Sequence, residues 1–205
     1  MKQAGRIAAA IEIVTEIFAR NRPASEALRD WGKAHRFAGS GDRHVIGTLV
    51  FDCLRNRNMA AAQAGSEEPR GLVLGTLVQI WKLAPHEIEA LCTEQFGAGA
   101  LSVAERSALS STLGPQPDYI AGNFPQWLAP QLRATFGDGL VAEMQALSNR
   151  APIDLRVNTL KATREQVLES LSKFNAIATS LSPTGIRIQA PGIEAKNIFS
   201  RSFWR

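Results

Sequence analysis

Cysteine is nearly absent: the 205 residues hold two, Cys53 and Cys92. Two are too few for a disulfide framework, so a reducing cytoplasm is the expected setting. Both fall on helical stripes, where a thiol behaves as a small apolar side chain and not as a nucleophile. Long apolar runs are absent too. No stretch approaches the roughly 18 residues that span a bilayer. The apolar segment 7–18 is broken by Glu12 and Glu16, which excludes a signal peptide, and no membrane partner is expected. Histidine is scarce: His35, His44 and His86 stand apart from any ligand spacing that would bring four donors together, so no metal is expected. The glycine clusters at 71–75 and 97–100 do not follow a strand, as a dinucleotide fingerprint requires. The first reads as close helix packing and the second as a loop. No Ser/His/Asp order suggests nucleophilic catalysis.

What is present is an ordinary globular composition, 45% apolar and 20% charged. That excludes a disordered tail, a collagen-like chain and a coiled-coil rod. Charge is unevenly spread. Residues 1–58 carry +4, residues 59–120 carry −4 and residues 121–205 carry +4. Basic ends around an acidic middle point to a polyanion, RNA or DNA, touched at two places; clustered solvated surface charge is the alternative reading.

The first 113 residues show only helical periodicity. Ile7, Ile11, Val14 and Phe18 mark a helix from about Lys2 to Arg20. Pro23 restarts the chain, and Leu28 and Trp31 carry the next apolar face. Ser40-Gly41-Asp42 offers an N-cap oxygen. Val45, Ile46, Leu49, Val50, Cys53 and Leu54 form a wide stripe, the most buried-looking helix of the chain. A short Ala-rich turn follows near 59–64. Leu72, Val73, Leu77, Ile80 and Trp81 make another stripe, and Pro85 opens the next helix, with Ile88, Leu91 and Cys92 inward. Ser102 and Glu105 are spaced as a capping box for a helix that ends near Leu113-Gly114.

Pro115 and Pro117 then predict a boundary, with 114–124 as a linker. Two short helices follow, marked by Trp127, Leu128, Leu132 and Phe136, and by Leu140, Val141, Met144 and Leu147. After Pro152 the period becomes two: Ile153, Leu155 and Val157 alternate with Asp154, Arg156 and Asn158, a half-buried strand. Thr163 and Gln166 form a second capping box. Residues 176–181 and 186–190 read as strands around a turn at 182–185. The expected fold is an all-helical domain over 1–113, a linker over 114–124 and a small α+β domain over 125–205.

Candidate RNA contacts are the basic groups. Arg6, Arg20 and Arg22 lie on or after the first helix, and Arg43, Arg55 and Arg57 bracket the third. The guanidinium fork suits phosphate. The outer face of the strand adds Arg156 and Asn158, with Lys161 and Arg164 after it, polar groups able to read bases from a rigid element. An edge-strand surface or a domain interface is the alternative account of that face.

The run 151–161, Ala-Pro-Ile-Asp-Leu-Arg-Val-Asn-Thr-Leu-Lys, followed by Thr163-Arg164-Glu165, resembles the "P…LRVNTLK…" segment of the Sun/Nop2-type RNA cytosine-C5 methyltransferases. It is most similar to the bacterial branch that modifies 16S ribosomal RNA. In that branch an all-helical domain resembling the antitermination factor NusB precedes this segment, and residues 1–113 suit it. The resemblance implies that an S-adenosylmethionine-binding catalytic domain would begin after Arg205. That domain carries a glycine-rich loop, a Pro-Cys motif and a second catalytic cysteine, and this chain holds no Pro-Cys pair and no such loop. None of the family's catalytic or cofactor residues therefore carries over. The chain is expected to be the RNA-docking N-terminal portion of such an enzyme, inactive by itself and without a cofactor of its own. The competing readings are a free-standing NusB-type RNA-binding antitermination regulator and a protein–protein adaptor.

Overall fold

A computed structural model describes residues 1–189, with helices close to where the apolar stripes place them. α1 (Gln3–Arg20), α2 (Ala24–Ala34) and α3 (Ser40–Arg55) are followed by α4 (Arg57–Ala64), α5 (Pro69–Gln79), α6 (Pro85–Thr93) and α7 (Val103–Ser110). α4 differs from the expected Ala-rich turn. Alanine has the highest intrinsic helix propensity, and only Asn56 separates α4 from α3. Asp42, not Ser40, finishes the start of α3, accepting the Gly39 N–H at 3.1 Å. The Ser102/Glu105 capping box forms as expected, with Ser102 Oγ accepting from the Glu105 N–H at 3.1 Å and Glu105 from the Ser102 N–H at 2.7 Å.

One core gathers Ile7, Ile13 and Val14 of α1, Ile46, Leu49 and Cys53 of α3, Leu72 and Leu77 of α5, and Ile88 of α6. The most enclosed helix is α5, not α3: every residue from Gly71 to Leu77 is buried. A helix apolar all round belongs at a centre, and glycines and a threonine disguised that in the sequence. Thr76 satisfies its hydroxyl on the Leu72 carbonyl at 2.8 Å. The glycine cluster packs closely, as read. A Cβ on Gly75 would overlap the Ala60 carbonyl oxygen and sit 2.8 Å from its carbon. The buried Gln63 of α4 donates to the carbonyls of Ala108 at 2.8 Å and Ser111 at 3.1 Å, closing the end of α7.

By contact the chain divides after Ser148, later than the expected break at 113–124. The reason is a side-chain clasp. Asn58 Nδ2 donates to the carbonyls of Tyr119 at 2.9 Å and Phe124 at 2.8 Å, and Asn123 accepts the Met59 N–H at 3.0 Å. The stretch expected as a linker thus contains α8 (Asp118–Ala121) and lies on α4. α9 (Ala129–Phe136) and α10 (Leu140–Ser148) follow, and Phe124, Leu140 and Met144 form a small separate core.

The second unit, beginning at Asn149, contains β1 (Ile153–Arg156), α11 (Arg164–Ser170), β2 (Ile177–Ala178) and β3 (Gly185–Ile188). The sheet is antiparallel in the order β1-β3-β2. Val157, Leu171, Ile186 and Ile188 are its buried core, packed by Val167 and Leu168 of α11. β2 is shorter than the expected 176–181, and residue 190 of the last expected strand lies, with 191–205, outside the described residues. The fold is an all-helical part followed by a small α+β part.

Gly75→Ala tests the helix crossing. Propensity alone would stabilise α5 by up to about 1 kcal/mol, but the added methyl meets backbone that only helix separation can move. We expect a net loss of about 2 kcal/mol, a fall in Tm of roughly 4–8 °C by calorimetry. Gly41→Ala, on α3 with nothing within 4 Å, should leave Tm unchanged or higher.

Candidate nucleic-acid interface

In β1 the alternation sends Leu155 and Val157 inward and Asp154, Arg156 and Asn158 outward. Asp154 is committed to the sheet. It sits opposite Arg187 of β3 and takes both arms of that guanidinium at 2.7 Å. The Arg187 hydrogen bonds hold the Asp154 carboxyl below its ordinary range against a smaller opposing effect of burial. Arg156, one pleat further, is exposed and has no hydrogen bond or ion pair to its side chain among the described residues. Asn158 uses Oδ1 to accept the Leu160 N–H at 3.1 Å, and its carbonyl accepts the Lys161 N–H at 2.9 Å. This Asx turn fixes the backbone and leaves the Asn158 amide N–H groups outward. Lys161 is exposed and unpaired among the described residues.

Arg156, Asn158 and Leu160, with Thr159 and Thr184, line an open groove of about 410 Å³. Thr184 enters because its carbonyl accepts the Val157 N–H at 2.9 Å, extending the β1–β3 pairing by one step. Leu160 is 95% exposed on the rim. Nothing local in the sequence singles out Thr184 or Leu160. A threonine in a turn has no chemical signature, and only the strand pairing reveals its place. Arg164 departs from its expected role. Its Nη1 donates to the Ser182 carbonyl at 3.3 Å, while Nε is buried without a hydrogen-bond partner among the described residues, so the guanidinium straps α11 to the β2–β3 turn.

The basic candidates of the first unit do not converge. Arg6 gives Nε and Nη2 to Asp42 at 2.9 and 2.8 Å. Arg22 bridges Glu16 and Asp30, each at 2.6 Å, and Arg20 lies 3.5 Å from Glu16. Arg55 pairs with Asp52 at 2.6 Å, and Arg57 with Glu67 at 3.1 Å while lying over the Phe18 ring. Arg43 has no carboxylate partner among the described residues; its Nε holds the Ala38 carbonyl at 2.9 Å. Counting cations treats each as free, whereas carboxylates one helical turn away, on a neighbouring helix or in the loop after α4 engage five of these six.

No group of three or more His, Cys, Asp or Glu among the described residues could hold a metal ion. Burial pushes the Cys53 thiol up to about 11 and the Cys92 thiol upward as well, so neither is a thiolate at neutral pH. No helix among the described residues is long and apolar enough to cross a membrane.

Residues 124–193 match the family model of the ferredoxin-like domain of RsmF/B-like methyltransferases. A stretch of 69 residues is 35% identical to the "probable ribosomal RNA small subunit methyltransferase B" of Synechocystis sp.. That match covers 32% of this chain and 16% of the relative. The solved structure of PH0851 superposes with a TM-score of 0.57 over 94% of this chain and 50% of that one, at 17% identity. The sequence matches bear out the resemblance to the Sun/Nop2-type methyltransferases, and the superposition bears out the fold.

Asp42 generates a pH prediction. Burial would raise its pKa, but hydrogen bonds from the Met1 ammonium, Arg6 and the Gly39 N–H outweigh that and hold it below its ordinary value. A carboxylate depressed in the folded state stabilises the fold above its unfolded pKa and loses that contribution as pH falls through the folded one. Asp42→Asn should therefore cost about 1–2 kcal/mol at pH 7. In urea melts across a pH series, the gap to the unsubstituted chain should close below about pH 4.

Proposed function

We propose that this chain is the RNA-docking portion of an S-adenosylmethionine-dependent ribosomal RNA cytosine-C5 methyltransferase, with 16S ribosomal RNA as the partner and the cytoplasm as its setting. The observation that carries this reading is the groove after β1. There Arg156 and Asn158 present a cation and amide donors that no described protein group uses, with Lys161, unpaired among the described residues, three positions on. The groove lies inside the stretch that matches the methyltransferase domain. That match weighs for the methyltransferase over a free-standing NusB-type regulator. Residues 1–113 are the helical RNA-binding domain in this reading.

The groove suits an unpaired segment better than a duplex. Sequence-specific RNA recognition targets bases splayed out of a helix, whose edges can meet side-chain amides while the backbone meets cations. Arg156 would fork onto a phosphate or the acceptor edge of a base, and Asn158 would donate to a base edge. The Asx turn and the β1–β3 pairing would hold both in place before RNA arrives.

The described residues do not fit an S-adenosylmethionine cradle. The three strands are antiparallel, no glycine-rich turn among the described residues joins one to a helix, and Gly71 and Gly75 are consumed by packing against Ser66 and against Ala60 of α4. No catalytic step is assigned to this chain. The cofactor and the thiolate that attacks cytosine belong, in this proposal, to the family's catalytic domain.

Fluorescence anisotropy with a ribosomal RNA hairpin tests the docking. Arg156→Ala with Asn158→Ala should weaken binding about tenfold and reorder preference among RNA sequences. The salt slope should fall by about 0.7 for each phosphate that is no longer neutralised. Arg55→Ala with Arg57→Ala should change less, because Asp52 and Glu67 already hold those groups. A titration of the first pair that overlays the unsubstituted chain would sink the reading. Calorimetric titration with S-adenosylmethionine should show no binding heat; a measurable one would overturn the assignment of the cofactor elsewhere.

A further inference from the structure

We propose a second RNA subsite, on the helical unit: a groove beside α1 that takes an unpaired base against Phe37 and Phe96, with the flanking phosphates on Lys2, Arg36 and Arg43. The inference rests on the RNA-docking reading and adds a site far from β1 in sequence.

The groove encloses about 640 Å³. Gly5, Ala8 and Ala9 floor it on α1, and their small side chains leave the depth that a flat ring needs. One wall is a braced aromatic stack. The rings of Trp31 and His35 lie 4.3 Å apart and 16° from parallel, and Phe37 meets His35 edge-on at 5.6 Å. Hydrogen bonds lock the stack: Trp31 Nε1 donates to Glu12 at 3.0 Å, and His35 Nδ1 lies 2.9 Å from the Trp31 carbonyl.

Phe96 stands at the rim. It is 80% exposed and Phe37 is 70% exposed, a poor use of two large apolar side chains unless something covers them. Phe96 also has φ +67°, a left-handed conformation rare for an aromatic residue. Such strain persists only where the surroundings over-determine it, and here they do. Arg70 holds the carbonyls of Ala98, Gly99 and Ala100, Gly99 N–H donates to the Cys92 carbonyl at 2.9 Å, and Gly97 N–H donates to that of Glu94 at 2.8 Å.

Charge decides the occupant. Of the fourteen Lys and Arg in residues 1–148, ten have a carboxylate partner among the described residues. Of the remaining four, one lines this groove and two lie beside its lining residues in the chain or through a hydrogen bond. Lys2 lines it, Arg36 sits between His35 and Phe37, and Arg43 holds the carbonyl of Ala38 at the end of that turn. Among the described residues Glu12 is the one carboxylate in the lining, and it faces the indole. Its charge keeps a phosphate off the floor, so the uncharged base enters and the phosphates stay at the cationic rim. Aromatic platforms with cations alongside are how single strands are held without sequence preference.

The test uses the full chain, a single-stranded oligoadenylate and an abasic oligomer of equal length, read by anisotropy. Phe37→Ala with Phe96→Ala should weaken oligoadenylate binding about tenfold and leave abasic binding and the salt slope unchanged. Tyr at both positions should restore binding and Leu should not. Lys2→Gln with Arg36→Gln should instead lower the salt slope by about 1.4, two phosphates' worth. Full binding by the Leu variant would overturn the proposal in favour of an apolar peptide. A dimer in sedimentation that the Ala variant dissolves would overturn it in favour of a second copy. Ala and unsubstituted curves that coincide, while Arg156→Ala with Asn158→Ala still weakens binding, would remove this subsite and leave the docking reading standing. No RNA binding at all would remove both.

Discussion

The helical unit depends on one close approach, the passage of α5 across α4 at Gly75. A side chain there would collide with the Ala60 backbone, so the two helices lie as near as peptide atoms allow. That proximity lets α5 be buried on every side from Gly71 to Leu77. α1, α3 and α6 then cover one continuous core around it. It also aligns the buried Gln63 with the carbonyls that end α7, so a polar side chain inside the fold has its partners supplied by the same geometry.

Charge follows a similar logic of prior commitment. The basic ends of the sequence suggested many phosphate contacts, yet most arginines of the helical unit are engaged by carboxylates. These pairs are half-buried, and some, such as Arg6 on Asp42, also hold the fold. Their effect on function is subtractive, because a guanidinium already forked onto a carboxylate must give up one partner to gain another. The informative cations are among the few left over, at the groove after β1 and beside the aromatic groove.

Much of the fold was legible in the sequence because long stripes and capping boxes are local signals. α1 and α7 and the strand at Ile153 all form close to their expected bounds. What was illegible depends on distance through the fold. Arg6 meets Asp42 across 36 positions, and Asn58 reaches Tyr119 across 61, so neither pairing leaves a trace in periodicity. α4 leaves little signal because alanine carries no apolar stripe, and α5 because glycine does not count as apolar. The groove after β1 was half legible: Arg156 and Asn158 lie in a distinctive run, while Thr184 arrives only by strand pairing. The aromatic groove draws on residues near 5, 35 and 96, and nothing local joins them.

The clasp of Asn58 and Asn123 divides the first unit into layers of unequal permanence. Residues 118–148 keep their own small core of Phe124, Leu140 and Met144 and meet α4 through side-chain amides. Such a layer can lift away while the central helices stay closed, since its small core is separate from theirs. Amide protons in α8–α10 would then exchange with solvent by a low-energy partial opening, and those of α5 only when the whole unit melts. The molecule would show two opening free energies within one unit, separated at a seam of a few hydrogen bonds.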